Sequence, residues 1–447
     1  MTYADICKPK VVVIGAGLAG LTIAYRLNKA GIDVEVYEAR PRIGGRIFTV
    51  DLTESHVELG GQTFRNNGQH VHLLNLINEL GLKIASHSIS SQEAYFTHGT
   101  LVPLKHLAKI EIDTALLREH SRELIEKKLS LKILLDSFIK ETDPIYKAIA
   151  MKLAIYEGNL PEYLSPLYVD TFLSMVSKIY TPQSDDGLER LSIKGGNRLI
   201  PEALAKEISH RIHLGMPLTK VTRNVEGSLQ LTFDNGETKK ADILVLAIPC
   251  SVYEKISFQN DLIPFDRLKA IQMIPYGAHG KMVFPFSCSP GRVLGLISDE
   301  FYCSLDAGCR LLTMHYFDDG SLSAKALYNR ARSMMELGYL TVCPTFEAPQ
   351  EVADQSFCHH GSPLSYSWSQ NRFSKGTYAY IAPGQENLWH QTIEEDGECF
   401  KILFKPIENK IYFTGEHATL PHILPGTMEG ACESGERIAR AIIKRHL

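Results

Sequence analysis

The sequence predicts an α/β fold with a parallel sheet at its centre. Three observations carry this. Val11-Val12-Val13-Ile14 is a short β-branched run, the kind that parallel sheets bury on both faces. Gly15-Ala16-Gly17-Leu18-Ala19-Gly20 follows at once and opens a helical stretch to about Ala30, which Gly31 stops. Similar buried strands recur far along the chain, at Ala241–Ile248 and Lys410–Thr414. The sheet is therefore expected to draw on distant segments.

The remaining elements follow in order. Val34-Glu35-Val36-Tyr37 is a second strand ending at Glu38. From about Lys105 to Lys178 apolar and charged residues alternate at helical spacing, which predicts an all-helical insertion. Gly195-Gly196 precedes a helix at Leu199–Ile208, with Pro201 in its first turn. Leu229–Phe233 and Glu237–Lys240 predict a hairpin around Asp234-Asn235-Gly236. Strand segments near Lys220 and Ala247 are expected to join the central sheet. Between 251 and 388, segments such as Arg292–Ile297 and Arg310–Tyr316 suggest a mixed or antiparallel sheet. Met428–Arg445 is an amphipathic helix, with Glu433/Arg437 and Glu436/Arg440 as favourable i,i+4 pairs.

Composition narrows the function. The chain has 447 residues, 44% hydrophobic and 22% charged, which fits a folded protein larger than one ordinary core. Lys+Arg total 47 and Asp+Glu 51, a net charge of −4, so no general electrostatic pull toward nucleic acid is expected. No apolar run is long enough for a membrane span, and no signal-peptide pattern opens the chain. The 9 cysteines are scattered without CxxC spacing. That argues for a reducing, cytoplasmic location rather than a disulfide framework. The 17 histidines show no HxxxH or HExxH, and no metal is expected.

The glycine turn carries the first chemistry. Set between a strand and a helix, GxGxxG is the fingerprint of a Rossmann-like dinucleotide site. Gly15 permits the tight turn, Gly17 lets backbone approach a pyrophosphate, and Gly20 lets helix and strand pack closely. Amide groups at the helix start favour the anion. Glu38 can accept from both hydroxyls of an adenosine ribose and would repel a 2′-phosphate. Arg40, Arg42 and Arg46 surround Gly44-Gly45 just beyond. An extended FAD needs that further phosphate neutralisation and close backbone approach; NAD does not.

With these residues the sequence resembles the flavin-dependent amine oxidase family, which includes monoamine, polyamine and L-amino-acid oxidases. The resemblance rests on VVVIGAGLAGLTIAYRL, VYEARPRIGGR and Glu58-Leu59-Gly60-Gly61 near the start. Further along it rests on Ile193-Lys194-Gly195-Gly196 and ADILVLAIP, and near the end on YFTGEH and GTMEGACESGERIA. It implies a Rossmann-like FAD-binding domain (1–85, 191–250 and 389–447) interleaved with a substrate domain of mixed β-sheet plus helices. The latter comprises a helical part, 86–190, and a mixed-sheet part, 251–388. It implies that Gly15, Gly17 and Gly20 hold the pyrophosphate and that Glu38 binds the ribose. Arg40, Gly45 and Arg46 would line the phosphate and ribityl stretch, and Gly60, Gly61, Gln62 and Thr63 the flavin ring. Val221 would lie near the adenine. Gly415-Glu416 would reach the ribityl chain, and Met428 would place a backbone N–H near the isoalloxazine.

For catalysis, the resemblance implies Lys281 and Tyr378. Lys281 heads an apolar stretch that reads as a buried strand, and its family counterpart holds a water beside flavin N5. Tyr378 would form one wall of an aromatic cage around the substrate amine. Thr377 stands where a flavin-bonded cysteine precedes this tyrosine in some monoamine oxidases, so noncovalent FAD is expected. Thr427 stands where the second cage aromatic is usual, so the cage is incomplete. Arg65 follows the flavin-lining glycines, where L-amino-acid oxidases bind a substrate carboxylate.

The expected reaction is oxidation of the carbon next to an amine nitrogen, giving an imine and, with dioxygen, hydrogen peroxide. The substrate would be a small amine or amino acid. Two alternatives stay open: a protoporphyrinogen-oxidase- or desaturase-like FAD enzyme, and an FAD-binding scaffold without amine oxidase activity.

Overall fold

A computed structural model describes residues 9–52, 56–66, 68–87, 93–107, 110, 112–180, 190–285, 295–306, 311–318, 323–337, 350–354, 358–359, 363–422 and 425–447. Val11–Ile14 lies inside a five-stranded sheet, ordered Ile212–His213, Val34–Tyr37, Val11–Ile14, Ile243–Leu246, Ile411–Phe413. Every pairing in it is parallel. Val12 and Ile14 enter one core and Val11 and Val13 the other. Both faces are therefore apolar, as a parallel sheet covered on each side requires.

The sheet gathers strands from three separate stretches of chain. The helices Leu18–Lys29 and Met428–His446 pack side by side on it. A Cβ on Gly435 would lie 2.8 Å from the Ala19 carbonyl oxygen, so the two backbones meet closely there. The Glu433–Arg437 pair forms at 2.7 Å and is buried. The expected Glu436–Arg440 pair does not form. Glu436 instead meets Arg26 on the N-terminal helix at 2.8 Å, and Arg440 meets Glu398 at 3.1 Å. Tertiary neighbours outcompete the local i,i+4 partner because they bring two-oxygen contacts in a less hydrated setting.

Two further expectations need correction. Leu218–Arg223, the segment near Lys220, joins a separate four-stranded sheet with the hairpin Leu229–Phe233/Thr238–Ala241, not the central one. The 86–190 stretch is not helical throughout. Glu93–Thr97 and Thr100–Pro103 form a hairpin at the edge of an eight-stranded, mostly antiparallel sheet. That sheet also holds Gly295–Ile297, Phe301–Asp306, Leu311–Phe317, His279–Pro285 and Leu364–Ser367. The helices Thr114–Glu126, Leu131–Asp136, Pro144–Glu157 and Val169–Tyr180 follow the hairpin. Asp113 caps the first through the amides of Ala115 and Leu116. Gly158, at φ 105°, ends the third. Of the Arg292–Ile297 and Arg310–Tyr316 segments, residues 292–294 and 310 lie outside the described residues.

Gly20 is the tightest point of the strand–helix unit. A Cβ there would fall on the Gly15 carbonyl oxygen. Gly81, at φ 68°, has nothing within 4 Å. We expect Gly20→Ala to cost about 3 kcal/mol through overpacking. Gly81→Ala should cost only about 1 kcal/mol, from backbone conformation alone. Urea unfolding of the two variants side by side tests the difference; equal midpoints would sink the packing assignment.

Candidate active site

A single cavity of about 2680 Å³ runs from the glycine turn to the eight-stranded sheet. That greatly exceeds the roughly 300–1,000 Å³ of an ordinary small-ligand pocket. It has room for a dinucleotide as well as a small substrate.

The glycine turn fits the pyrophosphate. Gly15, at φ 106°, takes a conformation that L side chains rarely adopt. A Cβ on Gly17 would meet only Gly45 Cα at 4.0 Å, so the space before it is open. The Leu18–Lys29 helix has no side-chain cap and no acid in its first turn. Its orphan amides are left for an anion, and Leu18 and Ala19 line the cavity. Gly20 is absent from that lining and acts in packing. Glu38 does line it, with its carboxylate accepting from the Ala16 amide at 2.8 Å and the Arg40 amide at 2.9 Å. Those two bonds fix its orientation and leave lone pairs for a ribose.

Val221 does not reach the cavity. It is fully buried on Leu218–Arg223, within the apolar core. The wall beside Glu38 is instead Met216, Pro217, Leu218 and Thr219.

The three arginines separate by role. Arg40 lines the cavity and donates to Asn371 at 2.7 Å and Ser374 at 3.2 Å. Arg42 faces away, bound to the Gly45 carbonyl at 2.9 Å and stacked over Phe48. Arg46 donates to Glu416 at 2.7 Å and to the Thr377 carbonyl at 2.8 Å. Glu416 also accepts from the amides of Gly426, at 2.8 Å, and Ala379, at 3.2 Å. Burial alone would raise the Glu416 pKa, but the Arg46 charge, with His417 and the Gly426 amide, holds it below its usual range. Glu416 thus joins three distant chain segments beside the cavity. Gly415, at φ 140°, starts the turn that presents it.

The strip Glu58–Thr63 crosses the middle of the cavity. Lys281 lies on His279–Pro285 and donates to the carbonyls of Gly60 at 2.7 Å and Glu58 at 3.1 Å. It also donates to Gln62 Oε1 at 3.4 Å. Burial lowers the Lys281 pKa to about 8, opposed by the Glu58 charge. Burial raises Glu58 to about 7, against the pull of Asn197 and Thr49. Asn197 was not evident in the sequence. It donates to the Gly61 and Gln62 carbonyls, both at 2.9 Å, and its own amide reaches Glu58 at 2.7 Å. The only sequence signal was its place after Gly195-Gly196, which reads as a turn.

Tyr378 borders the cavity, and its hydroxyl donates to the Ile155 carbonyl. His279 packs 5.9 Å from its ring and is kept neutral by burial, with a pKa near 4. Thr427 borders the cavity too, as the N-cap of Met428–His446, accepting from the Gly430 amide at 3.0 Å. The threonine therefore supplies a cap an aromatic residue could not. Met428 lies against Gly61, where a Cβ would come 3.3 Å from its sulfur. Trp368 and Tyr380 are buried; the Trp368 indole donates to the Leu59 carbonyl at 2.8 Å and Tyr380 accepts from Asn159. Glu157, at the end of Pro144–Glu157, was also missed. It lines the cavity, and burial raises its pKa to about 7, against the pull of its bond to the Thr171 hydroxyl.

A dinucleotide cradle, a bare backbone strip and a buried lysine over it define a flavoenzyme. The sequence profile of the flavin containing amine oxidoreductase family matches residues 18–443, and the chain belongs to that family. It is 25% identical to a flavin-containing amine oxidase of Oncorhynchus mykiss, over 97% of this chain and 85% of that one. It is 26% identical to a probable flavin-containing monoamine oxidase A of Dictyostelium discoideum, over 97% of each. In fold it is similar to cyclohexylamine oxidase from Brevibacterium oxydans, with a TM-score of 0.72 at 19% identity, covering 98% of this chain and 99% of the other. A putrescine oxidase bound to putrescine gives a TM-score of 0.68, also at 19% identity, with the same coverage. The chain is a flavin-dependent amine oxidase by family.

Two substitutions test the site. Glu38→Ala should weaken FAD retention by about tenfold, the loss of one charge-assisted contact; gel filtration followed by flavin absorbance reads this, and full occupancy would remove the ribose role. Lys281→Met should keep its FAD but slow turnover. In the wild type, turnover should fall on the alkaline side with an apparent pKa near 8, as the ammonium is lost. That inflection should vanish in the variant; the same profile in both proteins would exclude Lys281.

Proposed function

We propose that this chain is an oxidase with noncovalent FAD, acting on the C–H bond next to an amine nitrogen. The observation that carries this reading is Lys281 held by the Glu58 and Gly60 carbonyls, on a strip that faces open cavity. The Glu58–Thr63 strip offers backbone to a flat ring, and Lys281 holds it in place. FAD would supply the redox chemistry, accepting a hydride equivalent from the substrate and passing two electrons to dioxygen to give hydrogen peroxide.

The protein's own residues do the rest. Tyr378 is fixed by its bond to Ile155 and offers its ring as a wall for the amine. Glu157 has no cationic partner among the described residues and can take a proton from, or bind, a basic nitrogen. His279, neutral and buried, does not repel an incoming ammonium. The product imine then meets water and hydrolyses to a carbonyl compound. Thr377 offers a hydroxyl, bound to the Gly277 carbonyl at 3.1 Å, where covalent attachment needs a thiol. Among the described residues Cys250, Cys303, Cys399 and Cys432 are free thiols.

Peroxide release from a panel of monoamines, polyamines and amino acids tests the activity. We expect at least one class to turn over and to bleach the flavin anaerobically. A panel that leaves the flavin oxidised would remove the oxidase reading. Acid precipitation should release all of the FAD into the supernatant; flavin left on the chain would contradict noncovalent binding.

A further inference from the structure

We propose that Lys401 is a positioning residue for the cofactor: its buried ammonium, acting through the Glu416–Ala418 turn, holds Glu416 toward the bound FAD. This rests on the FAD reading above and concerns a residue that lies behind the cavity wall.

Lys401 ends the strand Glu398–Lys401 and is only 1% exposed. A lysine this deep is rare unless a carboxylate pairs with it. Among the described residues Lys401 forms no such ion pair. Glu433 is taken by Arg437 at 2.7 Å, and Glu416 by Arg46 at 2.7 Å. The Lys401 ammonium instead lies 4.2 Å from the centroid of the Trp389 ring and donates to the His417 carbonyl at 3.2 Å. A ring face and one carbonyl can hold a cation, but neither carries a full negative charge. The acid that acts on Lys401 most strongly is Glu416, one residue before the carbonyl it grips.

That turn is fixed along its backbone. Ser434 donates to the Gly415 carbonyl at 2.9 Å, Lys401 to that of His417, and Arg437 to that of Ala418 at 2.8 Å. The His417 ring meets the Tyr276 hydroxyl at 3.1 Å and packs 5.0 Å from Phe404. Gly415 and Glu416 line the cavity, whereas His417, Lys401 and Trp389 do not. Glu416 is therefore served by two buried cations, Arg46 in direct contact and Lys401 through the turn. An ionised carboxylate accepts hydrogen bonds only, which is what a ribityl hydroxyl requires of it.

The pH dependence has a definite sign. Burial lowers the Lys401 pKa to about 7, against the pull of Glu416; Arg437 lowers it too, and Glu433 and Cys250 oppose that. His417, His390 and Cys250 also feel its charge. Burial pushes both histidines down, His417 to about 4, and the Cys250 thiol up. Binding that uses Glu416 as an anion favours the ammonium, so the hold on FAD weakens as pH rises through about 7. For the fold alone the sign is opposite. The unfolded chain binds this proton more tightly, so stability from this group rises with pH above about 7. A merely structural lysine would show only that second trend.

The test is FAD release from the diluted holoenzyme, read as the rise in flavin fluorescence from about pH 6 to about pH 9. We expect Lys401→Met to release FAD about fivefold or more faster than the wild type at the acid end, the ratio falling toward one at the alkaline end. Lys401→Arg, charged throughout, should match the wild type at the acid end and release more slowly at the alkaline end. Glu58, Glu157 and Lys281 titrate in the same range in all three proteins, so these ratios isolate position 401. A Lys401→Met ratio within about twofold at the acid end would overturn the proposal while leaving the FAD reading intact. A larger ratio that does not change with pH would overturn it as well, as the mark of a structural role. A wild-type protein that retains no FAD would remove the cofactor reading and this proposal with it. If Lys401→Met does not fold, Lys401→Gln, which keeps a donor for the His417 carbonyl, is read the same way.

Discussion

The structure depends on holding a bare stretch of backbone still. From Glu58 to Gln62 every carbonyl accepts a hydrogen bond from a side chain that arrives from elsewhere. Lys281 takes Glu58 and Gly60, Trp368 takes Leu59, and Asn197 takes Gly61 and Gln62. A strip with two glycines has little side chain of its own to pack, and a buried carbonyl without a partner is costly. A Cβ on Gly60 would fall on the Arg46 carbonyl oxygen, so the strip rests directly on the arginine loop. The flat face it presents to the cavity therefore comes from three clamps behind it.

Those clamps join the two halves of the protein. Lys281 and Trp368 belong to the eight-stranded sheet and the loop after it, while Asn197 opens the helix beside the central sheet. The Arg46–Glu416 pair does the same elsewhere beside the cavity, drawing in Thr377, Ala379 and Gly426. A buried pair of this kind adds little net stability, because desolvation offsets attraction. Its effect is positional: three loops from distant parts of the chain are fixed around one carboxylate. Charge in the cavity is arranged just as unevenly. Burial suppresses protonation at His279 and His315, and lets Lys281 and Glu58 approach neutrality. Arg65, Arg190 and Glu157 also line the cavity.

Much was legible wherever function lies in backbone geometry. Gly15, Gly17 and Gly20 announce a turn whose spacing is set by sterics alone, and Glu38 follows at the end of the next strand. Lys281 precedes an apolar run, but most lysines are exposed, and its role was legible only through the family resemblance. Val221 was assigned through the resemblance; in the structure Met216–Thr219 line the cavity and Val221 is packed in the core, a difference that no local pattern reveals. Glu436 and Arg440 were misassigned because helix spacing shows available partners, whereas packing selects the final ones.

The sequence alone thus determined the dinucleotide turn, the parallel strands around it and the class of chemistry, since these follow from local sterics and hydrophobic period. The tertiary structure decided the clamps on the Glu58–Gln62 strip and the Arg46–Glu416 pair. Each of these joins residues far apart in the chain, and a hydrogen bond or charge contact acts only over a few ångströms. No local pattern encodes such a meeting; it exists only once the whole chain has folded.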